Sequence, residues 1–226
     1  MKKLALLLFG LSLYKNRNHV DYRSKIYSID WRLSYDNYQE YIIEFFKSKG
    51  FEIDIYLVSN KLQESDKQEL LDKWKPKAYD FLDVNNDPSC RFKQRNEKIV
   101  RVIELCKESL VLYDNILITR FDLKFKIKFD KLPLDYNKFN SAFYITSNYM
   151  CDNFLFMTPK SLEVFYRNTI ENMDLMGHSL KKYIEKEEPI NYLFNMPKKT
   201  SLSYNIFYDM IKLHNYPKKN LKNWKL

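Results

Sequence analysis

The sequence predicts an α/β domain with a mixed, mostly parallel sheet flanked by helices. Three short apolar runs, Leu4–Phe9, Phe51–Val58 and Ile116–Thr119, have the length and composition of strands that are buried on both faces. A helical pattern lies between the first two runs, so the chain opens as strand, helix, strand, which is the order of a parallel sheet. The 226 residues can bury one substantial core, and a single domain over residues 1–226 is therefore expected.

The first strand, Leu4–Phe9, ends at Gly10, one of only three glycines in the chain. Without a Cβ atom, Gly10 lets a ligand or a turn come close to the backbone. The two lysines before this run also resemble the start of a secretory signal. No small-x-small cleavage pattern follows, so the run is interpreted as a buried strand.

The rest of the first half alternates helical and extended patterns. Residues 14–32 are polar and basic without a clear period, which predicts a loop. Ser34–Lys49 and Leu62–Trp74 have apolar residues at helical spacing and predict two amphipathic helices around the Phe51–Val58 strand. Residues 78–90 contain a turn signal and are expected to be irregular.

The strongest helical pattern in the chain covers Arg91–Leu112. Arg95, Lys98 and Arg101 line a polar face beside its apolar stripe. A solvated charged face is the more frequent outcome for such a row. The alternative is that Arg95 and Lys98 contact a diphosphate.

The Ile116–Thr119 strand ends in Arg120-Phe121-Asp122, which places a cation and a carboxylate at its carboxyl end. Ligands of open α/β sheets bind at that edge. Arg120 and Asp122 are therefore predicted to belong to a functional site. The structural alternative is an Arg120–Asp122 pair, or an aspartate that is satisfied within its loop.

In the second half, Lys124–Leu134 alternates lysines with apolar residues and predicts a half-exposed strand. Ala142–Thr146 predicts another strand. Asp152 and Asn153 directly precede an apolar strand, and Pro159 opens a predicted helix. Gly177 begins a pattern for one further helix.

Composition narrows the function classes. The net charge of +9 favours acidic partners such as nucleotide phosphates, nucleic acid, anionic glycans or a membrane surface. Neither GxGxxG nor GxxxxGK[ST] is present, which excludes the common dinucleotide-binding enzymes and P-loop kinases. Three scattered cysteines indicate neither a disulfide framework nor a zinc site, and no apolar run is long enough for a membrane span.

Two stretches carry a resemblance to a known family: Tyr-Asp-Asn-Ile-Leu-Ile-Thr-Arg-Phe-Asp-Leu at 113–123, and Cys-Asp-Asn-Phe at 151–154. With the opening strand, they resemble small GT-A-type glycosyltransferases of large DNA viruses and bacterial surface-polysaccharide clusters. The resemblance covers most of residues 3–180. It implies transfer of a sugar from a nucleotide-sugar donor to a glycan or other hydroxyl acceptor.

The resemblance also implies roles for particular residues. Asp122 stands where the last carboxylate of the family's DxD-type motif binds Mn²⁺ or Mg²⁺ and the diphosphate, and His178 is a further metal or phosphate ligand. Gly10 borders the nucleotide. Asp152 is the base in an inverting enzyme, or a sugar-binding carboxylate in a retaining one. Arg120 replaces the first acid of the motif and can offset diphosphate charge directly.

On this interpretation, residues 1–112 form a nucleotide-binding half, 113–200 an acceptor and metal half, and 201–226 a basic aromatic tail. A cytoplasmic location is expected, with peripheral membrane contact as an option. Two other hypotheses remain. A nucleic-acid-binding or processing protein would use the basic, aromatic surface, and an inactive glycosyltransferase-like scaffold would bind its ligand without turnover.

Overall fold

The computed structural model describes residues 1–20, 26–83, 90–146, 149–175, 177–194 and 208–210, and 21 side chains in these ranges, that of His178 among them, lie outside the description. Twelve strands are present in this part of the chain. In chain order they are β1 (Lys2–Phe9), β2 (Leu13–Val20), β3 (Ile26–Asp30), β4 (Phe51–Asn60), β5 (Ala78–Leu82), β6 (Asn115–Arg120), β7 (Leu123–Phe125), β8 (Phe139–Thr146), β9 (Tyr149–Met150), β10 (Phe154–Met157), β11 (Ile190–Phe194) and β12 (Tyr208–Met210).

Seven of these strands form the central sheet in the order β5-β4-β1-β6-β10-β8-β11, and β9 pairs with β8 at one end. All pairings among β5, β4, β1 and β6 are parallel, as is the pairing of β8 with β11. Only β10 is antiparallel to both of its neighbours in this row. The predicted α/β class with a mixed, mostly parallel sheet is confirmed.

Helices cover both faces of the sheet. A continuous helical stretch of α1, a π-helical turn and α2 packs on one face with α3, while α4, α5 and α6 pack on the other. The bounds are α1 (Arg32–Tyr38), the π turn (Gln39–Ile43), α2 (Glu44–Ser48), α3 (Glu64–Trp74), α4 (Arg91–Lys107), α5 (Pro159–Glu171) and α6 (Lys181–Ile184).

Strand β1 is the centre of the core because it has a parallel neighbour on each side and a helical layer above and below. Leu4, Leu6 and Leu8 belong to the apolar cluster of the α1–α3 face, and Ala5 and Leu7 to the cluster of the α4–α6 face. All five are fully buried. An uninterrupted apolar run is the composition that such a strand needs, and the strand interpretation of Leu4–Phe9 is confirmed.

Three local predictions were wrong. The polar segment predicted as a loop contains β2 and β3, which pair as antiparallel strands, and the segment predicted as irregular contains the edge strand β5. The strand predicted over Lys124–Leu134 is shorter: β7 ends at Phe125, and a 3₁₀ turn follows at Phe129–Lys131. There the apolar residues point into the core from a turn rather than from a strand, so alternation alone was misleading.

Most of the tail predicted for residues 201–226 lies outside the described residues. Its described part is β12, which pairs with β7 in a separate two-stranded sheet. Among the helices that the structure describes, none combines the length and apolar character needed to cross a bilayer.

Candidate functional site at the carboxyl edge of the sheet

The strand order reverses between β1 and β6. From β1 the chain moves outward to β4 and β5, and then returns to place β6 on the other side of β1. Such a reversal leaves a crevice outside the carboxyl ends of the two strands, which is where ligands of open α/β sheets bind. Phe9, at the end of β1, is the register partner of Arg120, at the end of β6, and Gly10 follows with a φ of +117°.

Arg120 and Asp122 form a two-pronged ion pair at this crevice. Arg120 donates from Nε to one carboxylate oxygen at 2.7 Å and from Nη2 to the other at 2.6 Å. Asp122 is 1% exposed. The tight turn after β6 brings the two side chains together, and the hydroxyl of buried Tyr38 donates to the Arg120 carbonyl. The Arg120–Asp122 ion pair is therefore present, and the membership of both residues in a functional site stays a prediction.

Strand β10 brings Asp152 and Asn153 to the same edge. Because β10 runs opposite to its neighbours, the residues that precede it lie where the parallel strands end. Thr119 in β6 donates from its hydroxyl to the Asn153 carbonyl at 3.0 Å. Arg120 Nη1 lies 3.4 Å from Asn153 Oδ1, which links the two strands at the side-chain level.

Arg95 reaches the site from the first turns of α4. Its Nη2 lies 2.8 Å from the Asp152 carbonyl and 3.0 Å from Asp152 Oδ2. The guanidinium carbon stands 5.2 Å from the centre of the Phe9 ring, a cation–π distance at the end of β1. Arg95 and Asp152 are mostly buried, with side chains 16% and 12% exposed.

Gly177 closes over this second pair, a feature that the sequence did not indicate. An ideal Cβ at this position would lie 2.7 Å from Asp152 Oδ2, closer than real Cβ atoms approach, and 3.0 Å from Arg95 Cζ. The chain before Gly177 is fixed by fully buried Asn96, which donates to the carbonyls of Met173 and Leu175 at 2.7 and 2.9 Å. The glycine allows this segment to pack directly on the ion pair.

The basic row on α4 divides into different environments. Arg101 is half-exposed and pairs with Asp80 on β5 at 2.6 Å, outside the group around Arg95. Lys98 is 4% exposed, so the solvated-face interpretation is wrong for it. Burial lowers the pKa of Lys98, and its ammonium makes no hydrogen bond or ion pair with the residues that the structure describes.

The metal site predicted at Asp122 and His178 stays a prediction. No group of three or more His, Cys, Asp or Glu side chains there could hold a metal ion. Both oxygens of Asp122 are bound by Arg120, so a cation at Asp122 would have to displace the guanidinium. The His178 side chain lies outside the description, although its backbone forms a 3₁₀ turn that begins at Gly177.

The aromatic surface expected for a nucleic-acid-binding protein is not found in the described residues. Their tyrosines and phenylalanines mostly form the core, and the largest fully buried side chains are nearly all aromatic. Tyr79, at 46%, is the one aromatic among the exposed large hydrophobic side chains of this part of the chain.

Comparison with protein-family models and with curated proteins finds no match. Among solved structures, the chain is similar to the nucleoside-diphosphate-sugar pyrophosphorylase from Vibrio cholerae RC9. The sequence identity is 10% and the TM-score 0.47, and the match covers 85% of this chain and 91% of that chain. So distant a likeness carries no functional argument, and the assignment of the site rests on the strand order and the side-chain geometry.

Proposed function

We propose that this protein is a glycosyltransferase that moves a sugar from a nucleotide-sugar donor to a hydroxyl acceptor, with its site at the crevice between β1 and β6. One observation carries the proposal. Two arginines, Arg95 and Arg120, and two aspartates, Asp152 and Asp122, converge on the topological switch point of a mostly parallel sheet. The resemblance of the 113–123 and 151–154 segments to GT-A-type enzymes agrees with this placement.

The arginines are the groups that would bind the donor diphosphate. A planar guanidinium binds phosphate oxygens with two parallel hydrogen bonds, and in a half-buried site such bonds are strong. When the bond between the anomeric carbon and the diphosphate oxygen breaks, the leaving group takes the electron pair. Arg95 and Arg120 would stabilise the negative charge that develops there. Gly10, with no side chain at the crevice mouth, leaves space for the nucleotide.

Asp152 is the proposed base or sugar-binding carboxylate. In an inverting reaction it would take the proton of the acceptor hydroxyl as that oxygen bonds to the anomeric carbon. In the structure its Oδ2 is paired with Arg95. Donor binding would therefore have to draw Arg95 toward the diphosphate, since a carboxylate held by a guanidinium is a weaker base.

Dependence on Mn²⁺ or Mg²⁺ stays a prediction. Because Arg120 binds both oxygens of Asp122, we propose that the guanidinium supplies the positive charge which a divalent cation would otherwise bring. A metal-dependent enzyme would instead have to open this pair and recruit further ligands, of which His178 is the one that the sequence suggests.

The Arg120–Asp122 pair also favours a second candidate, a glycosyltransferase-like scaffold that binds a nucleotide without turnover. In that case Asp122 would serve only to hold Arg120. The two candidates share the binding site and differ in whether a sugar is transferred, so binding and turnover have to be measured separately.

The first test is a thermal-shift screen of the purified protein against nucleoside diphosphates and nucleotide sugars, with and without Mn²⁺. A ligand at 100 times its Kd stabilises the folded state by about 2.7 kcal/mol. For a chain of this length that corresponds to a rise in Tm of about 5–10 °C. A shift for one nucleotide family without Mn²⁺ is expected. A shift only with Mn²⁺ would contradict the role given to Arg120.

Arg120→Gln should remove the nucleotide-induced shift, whereas Arg101→Gln, which removes a charge from the Asp80 pair, should retain it. Turnover is then followed as release of the nucleoside diphosphate in the presence of hydroxyl acceptors, with Asp152→Asn as the inactive variant. Binding without release would identify the scaffold. No shift with any nucleotide, together with salt-sensitive binding of single-stranded oligonucleotides, would favour the nucleic-acid alternative.

A further inference from the structure

A cavity of about 360 Å³ lies at the amino edge of the sheet, where β1 and β4 begin. It is separate from the proposed transfer site, because the eight residues of β1 span about 23 Å between the two edges. The rings of Phe45, Phe51, Phe129 and Tyr136 contribute to its lining. The volume is within the range of small-molecule sites.

Two lysine ammonium groups stand over these rings. Lys2 Nζ lies 5.6 Å from the centre of the Phe51 ring and 5.8 Å from that of Tyr136, and the two rings are nearly parallel, with an interplanar angle of 20°. Lys49 Nζ lies 5.8 Å from the centre of Phe45. Neither ammonium pairs with a carboxylate in the described part of the chain. Both can therefore bind an anion without losing an ion pair.

The cavity also offers neutral and acidic groups. Burial raises the pKa of Tyr136, so its hydroxyl stays protonated. Within the described residues that hydroxyl makes no hydrogen bond, and the Tyr136 carbonyl accepts one from Asn115. Asp130 lies on the same lining, 3.6 Å from Lys131 Nζ at the surface. The lining thus combines aromatic faces, cationic donors, a phenol and a carboxylate acceptor.

We propose that this cavity is a second ligand site which binds an acidic saccharide, a sugar ring that carries a carboxylate or a phosphate. The C–H face of the ring would pack on Phe45 and Tyr136, the two part-exposed aromatic residues of the lining, since Phe51 and Phe129 are buried beneath them. The anionic group would bind Lys2 and Lys49, and a ring hydroxyl would donate to Asp130. A nucleotide polyphosphate fits less well, because Asp130 would repel its charge. A lipid tail would cover the Tyr136 hydroxyl and the two ammonium groups without offering them a hydrogen-bond acceptor.

A smaller neighbouring cavity extends the site. It measures about 210 Å³, shares Phe45, Phe129 and Asp130 with the first, and adds Glu40, Tyr41, Glu44, Ser48 and Lys128. Lys128 pairs with Glu40 at 3.2 Å, so the added charged groups are one ion pair and one carboxylate, which together with the two hydroxyls suit an uncharged sugar. An oligosaccharide can therefore place an acidic sugar unit between Lys2 and Lys49 and the next sugar unit in the smaller cavity, beside α2.

The test is titration with α-1,4-linked trigalacturonate and with neutral maltotriose, up to about 10 mM because sites of this kind are weak. Binding is measured by calorimetry and by saturation-transfer NMR. The protein carries no amino-terminal tag, since Lys2 lines the cavity. Trigalacturonate should bind at least about tenfold more tightly than maltotriose, and Lys2→Gln/Lys49→Gln should weaken its binding by about tenfold or more.

The matched control is Lys47→Gln/Lys107→Gln, which removes the same charge from exposed lysines outside the cavity lining and should leave binding unchanged. Tyr136→Phe removes a single hydroxyl and should weaken binding by about threefold, which keeps the proposal testable if the double variant does not fold. The proposal is overturned if trigalacturonate does not bind, if both lysine pairs matter equally, or if maltotriose binds as well. Loss of binding in Arg95→Gln would instead assign the saccharide to the transfer site.

Discussion

The packing at Gly177 predicts that a side chain at this position destabilises the fold through a clash with Arg95. In Gly177→Ala the new methyl group would lie 2.7 Å from Asp152 Oδ2 and closer still to the Arg95 guanidinium. The two side chains are 12% and 16% exposed, so they have little room to move aside. Overpacking of this kind costs about 1–3 kcal/mol. For a chain of this length, Tm should fall by roughly 2–12 °C, measured by thermal unfolding.

A double-mutant cycle separates the clash from other effects. In an Arg95→Ala background the nearest obstacle is gone, so the cost of Gly177→Ala should fall by at least about 1 kcal/mol in urea unfolding. Gly50→Ala is the control: Gly50 has a φ of +81° with no atom within 4 Å of an added Cβ. The cost of Gly50→Ala comes from backbone strain and should be the same in the wild-type and Arg95→Ala backgrounds. An equal cost of Gly177→Ala with and without Arg95 would refute the packing explanation.

Three further predictions concern single ionisable groups. Burial acts to raise the pKa of Asp54, but hydrogen bonds from Lys77 and a tyrosine lower it overall. The lowered pKa contributes stability that is present above the unfolded pKa of about 3.9 and is lost as the pH falls through the folded pKa. The unfolding free energy of wild type, measured with urea, should therefore exceed that of Asp54→Asn by about 1 kcal/mol at pH 6, and this difference should shrink toward pH 3. A difference that is constant with pH would contradict the role given to Asp54. Asp122→Ala should cost about 3–5 kcal/mol of unfolding free energy because it removes the carboxylate that balances the mostly buried Arg120 guanidinium. Arg120→Met/Asp122→Leu should cost much less, and equal costs would argue against the pair. For Lys98, whose pKa is lowered by burial, the penalty on the charged form is full below the folded pKa and is relieved as the pH rises toward the unfolded value of about 10.4. Lys98→Met should thus be more stable than wild type by about 1 kcal/mol at pH 7, and this difference in unfolding free energy should narrow toward pH 10. A difference that widens at high pH would be inconsistent with a buried ammonium.

The elements that could be predicted from the sequence are those whose residues are buried on both faces. β1, β6 and β10 consist of apolar residues throughout their cores, and this composition leaves few alternatives to a central strand. β5 was missed because an edge strand needs less apolar content. In Ala78–Leu82, Asp80 separates two aromatic residues within a run of only five positions, and none of the five is fully buried.

The positions of the candidate residues could be predicted from the sequence, but not all of their pairings. The carboxyl end of β6 and the start of β10 could be located from the sequence, and the structure places Arg120, Asp122 and Asp152 at one edge. The pairing of Arg95 with Asp152 could not be predicted, because it depends on how α4 crosses the sheet. The same crossing turns Lys98 inward, although its neighbours in the sequence are typical of a solvated face.

The position of β1 between β4 and β6 has a consequence for synthesis of the chain. β1 is made before both of its partners, and the partner on one side, β6, follows roughly 100 residues later, which takes about 5–20 s at ribosomal rates. During that interval β4 can already pair with β1, but the other edge of the Leu-rich strand stays open. The nascent protein therefore carries an unpaired apolar strand edge until its second half emerges, and this is the stage at which chaperone binding would protect it from aggregation.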